Sequence, residues 1–169
     1  MPATRQDLLD LLSELNMETT THDHEAVFTV EESAKIKQDI PGGHTKNLFL
    51  KDKKGNFFLL VAEGTAAIKL NKIHGLIGAS GRVSFGKPEA LMELLGVKPG
   101  SVTAFAPMND TENQVKVIID EPLLRYDQIN CHPLTNEATT TIKREDLLRF
   151  LEHVNHAPEI IQVSGDGEA

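Results

Sequence analysis

The run Phe57-Phe58-Leu59-Leu60-Val61-Ala62 constrains this chain more than any other segment. Its continuous apolar character predicts a central strand buried on both faces. Just before it, Asn47-Leu48-Phe49-Leu50-Lys51-Asp52 reads as a partner strand. The Lys53-Lys54-Gly55-Asn56 stretch between them has turn chemistry, so the pair is a hairpin.

The remaining elements follow from periodicity and punctuation. Leu8, Leu9, Leu11, Leu12 and Leu15 form a helical stripe that Thr4 can cap. Glu18 to His22 reads as a strand, and Thr29-Val30-Glu31-Glu32 opens a short helix to about Gln38. Residues 66 to 77 read as a helix ending at Gly78, and Arg82 to Phe85 as a short strand. Pro88 starts a helix that Gly96 ends, and Lys98 to Asp110 is a loop. Strands follow at 115–119, 127–132 and 138–142, then a last helix from Lys143 to about His153. Strands and helices without strict alternation predict an α+β fold in a single domain. Residues 1–156 make that domain, and 157–169 a flexible tail.

Charge is unevenly spread. The chain has a net charge of −8, which argues against a general nucleic-acid binder. Yet residues 35 to 87 hold ten Lys or Arg against three Asp or Glu. That middle suggests a local anion site, although a chance fluctuation of surface sign reads as well. No apolar run approaches the ~20 residues that span a bilayer. The N-terminus lacks a secretory layout, and the single Cys131 allows no internal disulfide. A cytoplasmic protein fits these features.

Several chemistries find no support. There is no P-loop motif and no Gly-x-Ser-x-Gly elbow. The seven histidines and one cysteine are too scattered for a structural zinc site, so no metal is expected. Cys131 and His132 are strand neighbours that point to opposite faces, which argues against a thiol dyad. Ser101 has no identifiable general base beside it.

Three segments in order carry a resemblance: His44-Thr45-Lys46-Asn47, Gly96 to Phe105, and Cys131-His132-Pro133-Leu134-Thr135-Asn136-Glu137-Ala138-Thr139-Thr140. Together they resemble the YbaK-like aminoacyl-tRNA deacylases, in particular the stand-alone prolyl-tRNA editing branch. The similarity runs from about residue 4 to 155. One departure is Ala104, where relatives often have proline.

The resemblance implies a mixed, mostly antiparallel sheet or partial barrel flanked by helices. It implies hydrolysis of mischarged Ala-tRNA(Pro), without a cofactor, on the aminoacylated acceptor end of tRNA and in association with prolyl-tRNA synthetase. Cysteine or serine are alternative substrates, and a non-catalytic module of the same fold is an alternative role. Lys46 corresponds to the family's catalytic lysine, with Asn47 beside it hydrogen-bonding substrate. Gly100 would let the backbone approach the aminoacyl group, and His132 would orient it or water. Phe28, Ser101, Val102, Asn136 and Thr139 would line the pocket. Each also has a plainer reading: Lys46 as a solubilising strand-edge lysine, Asn47 and Asn136 as turn residues, Gly100 as a turn glycine, His132 as a fold-bonded histidine, Thr139 as a strand former and Phe28 as core.

Overall fold

A computed structural model describes residues 2–25 and 40–165. The apolar run becomes β3 (Phe57–Glu63), whose Phe58 to Ala62 are all buried. It sits inside an eight-stranded mixed sheet of order β1-β7-β6-β2-β3-β5-β8, with β4 paired to β2. These strands are β1 (Thr19–Asp23), β2 (Gly43–Lys51), β4 (Ser84–Phe85), β5 (Val115–Asp120), β6 (Gln128–Cys131), β7 (Ala138–Lys143) and β8 (Glu159–Ile161). β3 runs antiparallel to β2 and parallel to β5.

Each face of β3 meets its own core, as a strand buried on both sides requires. Leu59 and Val61 pack with Leu8 and Leu12 of α1 (Arg5–Glu14), and with Leu147, Phe150 and Leu151 of a later helix. Phe58 and Leu60 face the other way, onto Leu50, Ile118, Ile73, Ile77 and Val163. Each such side chain contributes about 1.5–3 kcal/mol when fully buried.

The helix ends obey local chemistry. Thr4 and Asp7 form a reciprocal capping box on α1. The short α2 spans His74–Ile77, and α3 (Pro88–Leu95) starts at a proline and stops at Gly96 in the left-handed region, φ 67°. The last helix, α4, spans Arg144–His153.

Two expectations are corrected. Residues 66 to 73 are not helical; the helix is confined to His74–Ile77. Ala66, Ile68 and Leu70 are half-buried while Ala67 and Lys69 are exposed, a period of two that marks extended chain. Ile68 bridges Ser164, and Gly165 donates its N–H to Ala67 O. That pairing corrects the second expectation. Glu159–Ile161 forms β8 along β5, and Val163 is buried, so the described part of 157–169 is not a flexible tail. The helix expected over residues 29–38 lies outside the described residues, as does Phe28.

The hairpin turn is held by one carboxylate. Asp52 accepts backbone N–H groups from Lys54, Asn56 and Ser80 and the side-chain amide of Asn56. Burial works to raise this carboxyl, but those donors outweigh it and hold it at about 2. A depressed carboxyl stabilises the fold above its unfolded value, ~3.9, and loses that contribution as pH falls through the folded one. Asp52→Ala is therefore expected to melt several degrees below wild type at neutral pH, with the gap closing near pH 2. Thermal unfolding across that range reads it.

Candidate functional site

β2 is shared by two half-sheets, and the site lies where they part. Its first residues pair in parallel with β6, Gly43 with Ile129 and His44 with Asn130. Its last residues pair with β4, Leu50 with Phe85 and Lys51 with Ser84. Between these pairings β2 leaves β6 and a fork opens. Lys46 and Asn47 follow the last β2–β6 pair on one side of it, and His132 follows on the other.

Polar contacts fix the root of the fork. Thr45 Oγ1 donates to Asn130 O at 2.7 Å, Thr141 Oγ1 to Asn130 Oδ1 at 2.5 Å, and Asn130 Nδ2 to Pro41 O at 3.0 Å. The Tyr126 ring lies against Gly43, where a Cβ would come within 2.5 Å of it. Any larger residue there would push β2 off its register. The Tyr126 hydroxyl donates to Glu63 Oε2 at 2.5 Å, and Arg125 pairs with the same carboxylate at 2.7 Å.

Alternation sends Lys46 and Asn47 to opposite faces. Lys46 shares a face with Leu48 and Leu50, and its Nζ donates to Ala66 O at 2.5 Å. Asn47 lies on the Phe49 face, with Oδ1 buried and without a hydrogen-bond partner among the described residues. Backbone direction adds a feature. Gly64 N–H donates to His44 O, so the peptide groups of Thr45, Asn47 and Phe49 face away from β3. Phe49 O takes the Gly86 N–H. The peptide of Asn47 is left facing the fork.

His132 is half-buried, and its Nδ1 lies 3.2 Å from Ala138 O. A carbonyl only accepts, so Nδ1 carries the proton and Nε2 of the neutral ring is the acceptor. Burial lowers its pKa below the ordinary value, the nearby His24 lowers it further, and the Ala138 carbonyl opposes both. His24 Nε2 meets Thr139 Oγ1 at 2.8 Å, and its Nδ1 meets Glu25 O at 2.8 Å. Thr139 thus serves a second histidine.

The glycine loop reaches the fork through Thr103, whose Oγ1 donates to His132 O at 2.6 Å. Gly100 and Ser101 lie three and two residues before it, in a 3-10 turn over Pro99–Ser101. Gly100 is exposed and is not among the glycines with positive φ, so backbone freedom does not explain it. Val102 and Leu134 are each half-buried against the main core. Ala104 is fully buried, so the missing proline leaves the loop packed. Asn136 is half-buried in the turn between β6 and β7.

Cys131 is buried, and burial pushes its thiol up to about 12 against a contact with Thr45 that lowers it. A thiol so reluctant to ionise is a poor nucleophile. Sequence reading missed His24, Thr103 and Asn130. His24 stands two residues from His22, a spacing that gives no sign of its Thr139 partner. Thr103 and Asn130 carry no local signal, because their partners come from strand pairing.

Residues 24–150 match the model of the aminoacyl-tRNA editing domain. The chain belongs to that family. It is 40% identical to prolyl-tRNA synthetase associated domain-containing protein 1 of Danio rerio, over 93% of this chain and 86% of the relative. It is 32% identical to the prolyl-tRNA editing protein ProX of Acetoanaerobium sticklandii, over 88% and 90%. A solved structure assigned a candidate role as a trans-editing enzyme for prolyl tRNA synthetase shares the fold, at a TM-score of 0.67 and 20% identity over 95% of this chain and 98% of that one. Among the described residues no helix is long and apolar enough to cross a membrane.

The His132 environment has a direct readout. Its ring is expected to titrate below 6.5, the ordinary histidine value, in an NMR titration. His24→Gln removes one of the lowering influences, so the His132 midpoint should rise in that variant. A midpoint at or above 6.5 in the wild type would contradict the geometry.

Proposed function

We propose that the chain hydrolyses the ester of a mischarged tRNA, releasing a small amino acid, with Ala-tRNA(Pro) as the preferred substrate. What supports this reading is the fork, with Lys46 and Asn47 on the β2 that borders it, the neutral His132 following β6 on the other side, and Thr103 of the glycine loop bonded to the His132 carbonyl. An aminoacyl ester is already activated, so its hydrolysis needs a placed water and a stabilised oxyanion rather than a covalent nucleophile.

In this reading Lys46 leaves its carbonyl perch to meet the ester or the phosphate of the terminal adenosine, a task suited to a compact charge on a flexible stem. Asn47, Gly100 and Val102 offer N–H groups to the carbonyl, the Ser101 N–H being taken by Lys98 O. His132, neutral with Nε2 as acceptor, orients the water or the amino group. The substrate's own ribose hydroxyl helps place the water. Asn136 and Thr139 support the wall.

Selectivity has a physical origin. A proline pocket cannot exclude alanine by size, because the missing methylenes are worth only about 1–3 kcal/mol. A second site too small for proline removes the error and spares the correct product. The products are the free amino acid and free tRNA(Pro), and the reaction proofreads prolyl-tRNA synthesis alongside the synthetase.

A basic corner supports the choice of tRNA. Lys51, Lys53, Lys54, Arg82 and Lys87 are all exposed, and the Asp52 carboxylate ties the hairpin turn to the segment that bears Arg82. Phe85, 61% exposed, projects from the same corner. Lys51 lies five residues beyond Lys46, about 17 Å along a strand. That matches roughly five stacked nucleotides at ~3.4 Å each, so phosphates upstream of the 3′ end would fall on this corner.

The decisive experiment is a deacylation panel of tRNA(Pro) charged with Ala, Ser, Cys or Pro. Alanine should be released with multiple turnover and proline spared. Lys46→Ala should lower the rate by about 100-fold or more. Preferred release of serine or cysteine would reassign the substrate, and binding without turnover would make the chain a non-catalytic module. Affinity for the tRNA should also fall with salt. Replacing Lys53 and Lys54 by alanine should flatten the log–log salt slope by roughly 1.5, at ~0.7–0.9 per phosphate contact; an unchanged slope would remove this corner from the interface.

A further inference from the structure

Asp120 ends β5 as a fully buried carboxyl that the site described so far does not use. Its Oδ1 accepts the N–H groups of Val163 at 2.8 Å and Ser164 at 3.1 Å. Its Oδ2 is buried with no hydrogen-bond partner among the described residues. A buried acidic oxygen left without a donor is costly unless an opposite charge lies within reach.

The register puts Lys46 in the same row. Lys46 pairs with Ala62 across β2 and β3. Ala62 is one residue past the Val61–Ile119 pair of β3 and β5, so Asp120 is next in the same row and on the same face. Two strand spacings separate Lys46 from Asp120, about 10 Å between backbones. In that row the intervening side chain is the methyl of Ala62. Lys116, on the same face of β5, is held by Glu159 at 3.0 Å and by Ile77 O. Arg125 is held by Glu63. Lys46 Nζ, by contrast, rests on a neutral carbonyl.

A closed circuit of hydrogen bonds joins the two residues. Ala66 O receives Lys46 Nζ, Ala67 O receives Gly165 N–H, Ile68 bridges Ser164, and Ser164 N–H returns to Asp120. The C-terminal segment therefore fixes both the carboxyl and the chain on which the ammonium sits.

We propose that Asp120 is a positioning residue for Lys46, a buried counter-charge two strands away that steadies the resting lysine ammonium on its Ala66 perch. The proposal rests on the editing reading for its kinetic consequence, not for the coupling itself. Asp120 touches no substrate and acts through Lys46 alone.

The test is a double-mutant cycle of Lys46→Ala and Asp120→Asn, read in two ways. Asparagine keeps the Oδ1 acceptor for Val163 and Ser164 and removes the charge. In urea and thermal unfolding, the two substitutions are expected to be non-additive, Asp120→Asn having different effects with and without Lys46. In hydrolysis of Ala-tRNA(Pro), Asp120→Asn should lower kcat about 10-fold while KM stays within about twofold, and should have no further effect in the Lys46→Ala background. Additive unfolding shifts, or a wild-type kcat in Asp120→Asn, would overturn the proposal. Asp120→Ser, whose hydroxyl can still serve the Val163 N–H, takes the place of asparagine should that variant fail to fold. If the wild type hydrolyses no charged tRNA, the editing reading falls while the unfolding cycle still decides the coupling.

Discussion

The site depends on the brevity of one strand pairing. β2 and β6 share two residue pairs, His44–Asn130 being the last, before β2 continues with β3 and β4 alone. Parallel pairing of adjacent strands would normally run on and consume the peptide groups of both. Here the chain after Cys131 turns away at Pro133, and Thr103 takes the His132 carbonyl that a longer ladder would have used. The result is a local gap inside an otherwise continuous sheet. Functional side chains thereby stand on rigid strands while backbone polar groups remain available, a combination a loop alone would not give.

The hairpin, α1, α3 and α4 were legible in the sequence because each is a local matter. Apolar periodicity, a capping threonine and a proline–glycine bracket act within a few residues. The double burial of β3 was legible for the same reason, since six apolar residues in a row leave no face for water. Residues 66–73 misled because Ala66, Ala67, Ile68 and Leu70 suit a helix by composition. Their actual partners, Ser164 and Gly165, lie nearly a hundred residues away. The same long-range pairing turned the described part of an expected tail into β8. Local propensity is a weak prior when a sheet edge offers a partner.

The site was legible as a set of residue names, not as an arrangement. Lys46, Asn47 and His132 come from neighbouring motifs, yet which faces they occupy follows only from register. Alternation separates Lys46 from Asn47, which adjacency had grouped together. His132 lies one residue past the end of β6, so alternation does not fix how it stands to Cys131. The supporting residues were invisible beforehand because a threonine that binds a distant carbonyl looks like any other threonine. Asn130, which ties β6 to β7 and to Pro41, is the clearest example.

The two poor nucleophiles say what sort of chemistry the fold suits. Cys131 is shut in the core with its thiol held protonated, and Ser101 sits half-exposed on a turn. Lys46, the neutral His132 imidazole and the Asn47 peptide border the fork, and each can bind or orient a substrate. Such a set is adequate only for a bond that is already activated, because positioning and oxyanion stabilisation must then supply the whole rate enhancement. An aminoacyl ester meets that condition and an ordinary amide does not.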